Sequence, residues 1–194
     1  MLGGEQSGHI EAIGFELYTQ MLERAVREMK GDAAPDEAET QLNLGLNIRI
    51  PADYVPEENQ RLQMYKRVAR VETESQLADV TGELQDRFGP PPPAVRNLLD
   101  YASLKLLCMK VGVNAIERKR DVVTLKFQQN AAVDPEQLAR FVSAQRGAQF
   151  SPDGMLKFNL KATAAEEVLR TLRTILQQLA SSEKANNAAQ ALSS

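Results

Sequence analysis

The sequence predicts an α+β fold, in which a helical cluster packs with a small antiparallel sheet of hairpins and a long N-terminal helix precedes both. Three observations predict it. Apolar residues recur every three or four positions through most of the first half. The second half breaks that rhythm twice, with paired alternating runs on either side of turn residues. One stretch, Leu42 to Ile50, alternates with period two. Strands grouped as hairpins beside a cluster of helices belong to the α+β class.

The opening residues, MLGGEQSGHI, read as a loop, because Gly3-Gly4 and Ser7-Gly8 leave no periodic burial. A helix is expected from about Ile10 to Lys30, striped by Ile10, Ile13, Leu17, Met21 and Val26, with Tyr18, Leu22 and Met29 beside them. Gly31 ends it. Asp32 to Thr40 is acidic, rich in alanine and interrupted by Pro35, which reads as a linker. Leu42, Leu44, Leu46, Ile48 and Ile50 then predict a strand of nine residues closed by Pro51.

Pro56-Glu57-Glu58 opens a helix whose acidic first turn suits the helix dipole. Leu62, Tyr65, Val68 and Ala69 line its inner side. Thr73-Glu74-Ser75-Gln76 has capping-box spacing, so another helix starts there. Leu77, Val80, Leu84 and Phe88 form its apolar stripe, and Asp79, Glu83, Asp86 and Arg87 lie opposite. Gly89 and the prolines from Pro90 to Pro93 stop it. Val95 to Met109 predicts a third helix, ended by Gly112.

Asn114 to Lys119 and Val122 to Gln128 predict a hairpin with Arg120-Asp121 near its tip. Asp134-Pro135-Glu136-Gln137 places a cap, a proline and a side-chain amide where a helix start uses them. Ala148 to Ser151 and Met155 to Leu160 flank Pro152-Asp153-Gly154, a second hairpin. Thr163 to Glu166 reads as another capping box, followed by a helix striped by Val168, Leu172, Ile175 and Leu179. The organisation is thus 1–40 as arm and linker, 41–180 as folded unit, and 181–194 as a tail too polar to pack.

Net charge is −3 and the isoelectric point about 5.4, a balance that argues against duplex DNA as the main partner. The single cysteine, Cys108, forbids an internal disulfide and fits a reducing compartment. Neither a signal peptide nor a membrane-length apolar run is visible, and a cytoplasmic location is expected.

The residue types needed for chemistry do not assemble. There is no GxxxxGK[ST] loop, and His9 is the sole histidine, set in a glycine-rich loop. No metal site, nucleophile–base pair or cofactor is expected. Glu117-Arg118-Lys119-Arg120 is the one basic cluster, and Arg118, Lys119 and Arg120 are candidate phosphate contacts. It has no stacking aromatic, and charge that blunts an edge strand explains it as well. The face carrying Asp79, Glu83, Asp86 and Arg87 has its own plain explanation, a solvated surface with a Glu83–Arg87 pair one turn apart.

Specific text changes the weighing. MLGGEQSGHIEAIGFELYTQMLERAV resembles the segment that leaves the motor of bacterial transcription-repair-coupling factors. LNLGLNIRIPADYVPEENQRLQMYKRVA and the DRFG of Asp86 to Gly89 resemble that family's C-terminal domain. The resemblance runs over about residues 1 to 180 in consistent order. It implies a piece of an ATP-dependent double-stranded DNA translocase related to the RecG motor. In that family the whole protein pushes and releases stalled RNA polymerase and recruits UvrA. ATP, magnesium, duplex DNA, RNA polymerase and UvrA would all be handled by parts outside this chain, which is not expected to be an enzyme itself.

The resemblance also implies residue roles. Gln6 matches the glutamine of the family's translocation motif. Glu83, Asp86 and Arg87 match polar residues with which the C-terminal domain grips the protein's own N-terminal UvrA-binding module and keeps it masked. Carboxylates with one guanidinium suit directional pairing to arginines on such a partner.

Overall fold

The computed structural model describes residues 14–16, 18–22, 25 and 40–180. From Thr40 onward the order is β1 (Gln41–Asn43), α1 (Glu58–Ala69), α2 (Glu74–Phe88), α3 (Pro93–Val111), β2 (Val113–Lys119), β3 (Val122–Phe127), α4 (Pro135–Ala144), β4 (Gln149–Ser151), β5 (Met155–Asn159) and α5 (Ala165–Leu179). Residues 14–16, 18–22 and 25 are helical, in agreement with the expected N-terminal helix. Its remaining residues, the linker up to 39 and the tail from 181 lie outside the described residues.

The α+β class holds, with one addition. The five-stranded sheet has the order β1-β2-β3-β5-β4. The two hairpins, β2–β3 and β4–β5, meet through β3 and β5, and all three pairings are antiparallel. β1 pairs parallel to β2, with Leu42 opposite Ile116, so the sheet is mixed. Ile116, Leu125 and Leu156 share a register row and are buried on one face, against which α3 packs through β2. Glu117, Lys126 and Lys157 are exposed on the opposite face. That alternation is what one covered and one solvated sheet face require.

α3 packs against α1, α2, β2 and α5. Its sequence fits that central place, since Val95, Leu98, Tyr101, Leu104, Cys108 and Val111 are all buried and spread round much of the helix. Gly112 ends it in the left-handed region at φ 86° and passes the chain directly into β2.

The predicted nine-residue strand is corrected. The ladder covers only Gln41–Asn43. Burial still alternates residue by residue to Ile50, but residues 44–50 run without a neighbouring strand. Other partners satisfy their backbone. Glu16 accepts the N–H groups of Leu44, Gly45 and Leu46, the last at 2.9 Å. Phe15 N–H donates to Ile48 O at 2.7 Å, and Ile50 N–H donates to the Tyr65 hydroxyl at 2.6 Å. Period two therefore reported an extended, half-buried chain correctly and its pairing incorrectly.

The same contacts correct the stripe expected on the N-terminal helix. Phe15, absent from that stripe, is 2% exposed and lies edge-on to Tyr101 and tilted against Tyr65. Glu16 is buried beside it, whereas Met21 and Leu22 remain exposed.

Helix starts divide similarly. Thr73 Oγ1 accepts the Gln76 N–H, and Asp134 accepts those of Glu136 and Gln137. The reciprocal arm of the first box reaches one residue further back than expected, from Glu72 N–H to Gln76 Oε1. The box expected at Thr163 does not form. α5 starts at Ala165 behind Ala164, with no side-chain cap.

Candidate functional site

α2 owes its rigidity to both ends. Thr73 caps the start. At the other end the Tyr54 hydroxyl, 3.1 Å from Leu84 O and 2.8 Å from Gly89 O, pins the last turn. The Tyr54 and Phe88 rings meet at 5.8 Å, and Gly89 turns the chain at φ 83° into the prolines. Leu77, Val80 and Leu84 are buried on the inner side. The outer side is thereby presented on a helix that cannot slide or fray easily.

On that outer side Asp79, Asp86 and Arg87 are exposed and Glu83 is half-buried. Glu83 is already engaged by both oxygens. Arg87 Nη1 lies 2.9 Å from Oε1, one turn along α2, and Arg67 reaches Oε2 from α1. The Arg87 guanidinium also stacks 5.0 Å from the Phe88 ring centroid. Asp86 makes no ion pair among the described residues. The structure thus brings Glu83, Asp86 and Arg87 together on one face, as the i, i+3, i+4 spacing requires.

Beside this face, the end of α1 and the start of α2 border an open cleft of about 180 Å³, lined by Arg67, Arg70, Val71, Gln76, Asp79 and Val80. Arg67 belongs to both features. Nothing in its sequence position marks it, because the pair it makes joins two helices.

The basic cluster is broken up by the fold. Arg118 points inward from β2 and donates to Ala162 O and, at 3.5 Å, to Leu44 O. Its Nε is buried without a hydrogen-bond partner. Lys119 is exposed and paired with Glu117 at 2.8 Å. Arg120 sits in the hairpin turn at φ 57°, exposed. Two of the three cations therefore face solvent, and one ties β2 to the backbone of Leu44 and Ala162. Gln6 and His9 lie outside the described residues.

Among the described residues no group of three or more His, Cys, Asp or Glu side chains is placed to hold a metal ion. Cys108 is fully buried, and burial pushes its thiol up to about 12, far from a nucleophile's range. No helix among them is long and apolar enough to cross a membrane.

Residues 44–138, which contain β1's continuation, the three packed helices and the first hairpin, match the TRCF domain model. The chain is 36% identical over 150 residues to the transcription-repair-coupling factor of Escherichia coli, covering 75% of this chain and 13% of that protein. It is 34% identical over 187 residues to the Bacillus subtilis protein of the same name, covering 92% of this chain and 16% of that one. The chain belongs to the transcription-repair-coupling factor family. Over residues 44–138 it is the TRCF-domain part of that family that the chain resembles. A crystal structure of the C-terminal domain of transcription-repair coupling factor shares the fold, with a TM-score of 0.60 and 23% identity, over 72% of this chain and 91% of that one. The chain spans 13–16% of the length of these two relatives. Glu83, Asp86 and Arg87 all fall inside the matched TRCF region.

Proposed function

We propose that this chain is the regulatory C-terminal domain of an ATP-dependent double-stranded DNA translocase that couples transcription to nucleotide-excision repair. Its work is a protein–protein contact. The outer face of α2 grips the N-terminal UvrA-binding module of the same protein and masks it until the motor engages RNA polymerase. ATP, magnesium and duplex DNA belong to the motor, to which Gln6 of the translocation motif would connect this chain, and the setting is the cytoplasm.

The observation that supports this reading best is the presentation of Asp86 and Arg87, with Glu83, on a helix fixed at both ends. A polar grip of this kind releases more readily than a large apolar interface, as a clamp that opens must. Titrating the 194-residue chain against the separately expressed N-terminal module tests it. The variant Glu83→Arg plus Asp86→Arg should fold normally and lose binding. Unchanged affinity would remove the site assignment.

The rival reading, duplex contact through Arg118, Lys119 and Arg120, is weakened by the inward position of Arg118. A gel shift with duplex DNA at low salt separates the two, since phosphate contacts must appear as salt-dependent binding.

A further inference from the structure

The grip proposed above needs cations to reach Glu83, yet both oxygens of that carboxylate are taken. The two arginines that take them are not equivalent. Arg87 is held on its own helix by the one-turn spacing and by the Phe88 ring. Arg67 comes from the other helix, and Glu83 is its only ion-pair partner among the described residues. Its side chain is 46% exposed, twice the 23% of Glu83, so it is free to leave.

A second acceptor lies within the same local feature. Arg67 and Asp79 line one solvent-open cleft of about 180 Å³, and Asp79 makes no ion pair among the described residues. An arginine that gives up Glu83 therefore has a vacant carboxylate to move toward. Without that alternative, displacement would leave Arg67 unpaired and add to the cost of binding.

We infer that Arg67 is a gate on the partner-binding face. It neutralises Glu83 while the face is unoccupied, and it exchanges Glu83 for Asp79 when a guanidinium-bearing partner surface arrives. Asp86, without an ion pair among the described residues, is then the first carboxylate the partner meets, and Glu83 is the second, released only through Arg67. This deepens the proposed masking contact and rests on it. It makes Arg67 a positioning residue that sets how tightly the clamp closes, and it assigns Asp79 a part that its distance along α2 from Asp86 would not suggest.

The test is a double-mutant cycle with the full chain, titrated at low salt against the separately expressed N-terminal module of the same protein. Arg67→Gln removes the competitor and should tighten binding about two- to fivefold, the range expected for one exposed ion pair. Asp79→Asn removes the alternative acceptor and should weaken binding by a similar factor. In the Arg67→Gln background the Asp79 change should have no effect, because no guanidinium remains to be re-housed. Simple loss of negative charge at Asp79 would instead weaken binding equally in both backgrounds, and that result overturns the exchange. So does an Arg67→Gln chain that binds no more tightly than the parent while Glu83→Arg plus Asp86→Arg still abolishes binding. If the charge-reversal pair leaves binding intact, it is the masking contact itself that fails.

Discussion

The carboxylate of Glu16 accepts the Leu46 N–H at 2.9 Å across thirty residues of sequence. With Leu44 and Gly45 on the same carboxylate, Glu16 performs for residues 44–46 the service that a neighbouring strand would otherwise provide. Replacement by alanine leaves these donors without that acceptor. Glu16→Ala should lower stability by about 2–4 kcal/mol, and Glu16→Gln, which keeps one acceptor oxygen, by about 1 kcal/mol. Urea titration measures both. Hydrogen exchange should show faster exchange at Leu44 and Leu46 before the core is affected.

The same carboxyl carries a pH signature. Burial raises its pKa above the usual carboxylate value, and the hydrogen bonds from Leu44, Leu46 and Gly45 offset that only in part. A carboxyl whose folded pKa is raised contributes stability that is full below its unfolded pKa. That contribution is lost as pH rises through the folded value. The parent chain should therefore lose stability relative to Glu16→Gln as pH climbs from about 4.5 through the raised pKa of Glu16, the unshifted value being 4.5. Parallel curves for the two proteins across that window would contradict it.

Gly112 joins α3 to β2 at φ 86°, and a Cβ there would stand 2.8 Å from the Cα of Ala131. Left-handed strain and a clash with backbone act together. Gly112→Ala should cost about 2 kcal/mol or more, read as a lower urea midpoint. Gly82→Ala is the control, because that position is helical and open, and the same change there should be neutral or stabilising.

Arg118 differs from its basic neighbours in what it touches. Arg118→Ala frees the carbonyls of Ala162 and Leu44 and should cost about 1–2 kcal/mol, visible as a lower melting temperature. Lys119→Ala with Arg120→Ala removes one exposed pair and one turn cation. It should stay within about 0.5 kcal/mol of the parent.

The legible part of this fold was what local rules govern. The stripe Leu77, Val80, Leu84 named the buried side of α2, and Thr73 and Asp134 capped the helices whose spacing announced them. The hairpin turn at Arg120-Asp121 was legible because charge and strand period break there together. Wherever a distant residue decided the outcome, sequence reasoning failed. Leu44 to Ile50 alternates like a strand, and it is the partners supplied by Glu16, Phe15 and Tyr65 that distinguish it from one. Thr163 has the right spacing to cap α5, but the helix begins one residue too late to use it. At the candidate site, Glu83, Asp86 and Arg87 were found through family text. Arg67 left no signal, since its pairing crosses from one helix to another.

The parallel pairing of β1 with β2 has a bearing on how the chain is made. All of α1, α2 and α3 lies between Asn43 and its partner Glu117. As the polypeptide leaves the ribosome, β1 emerges long before the strand it must join, with apolar Leu42 to Ile50 trailing behind it. Nascent chains therefore carry β1 with its ladder groups unpaired until the first hairpin arrives, which invites chaperone attention during synthesis.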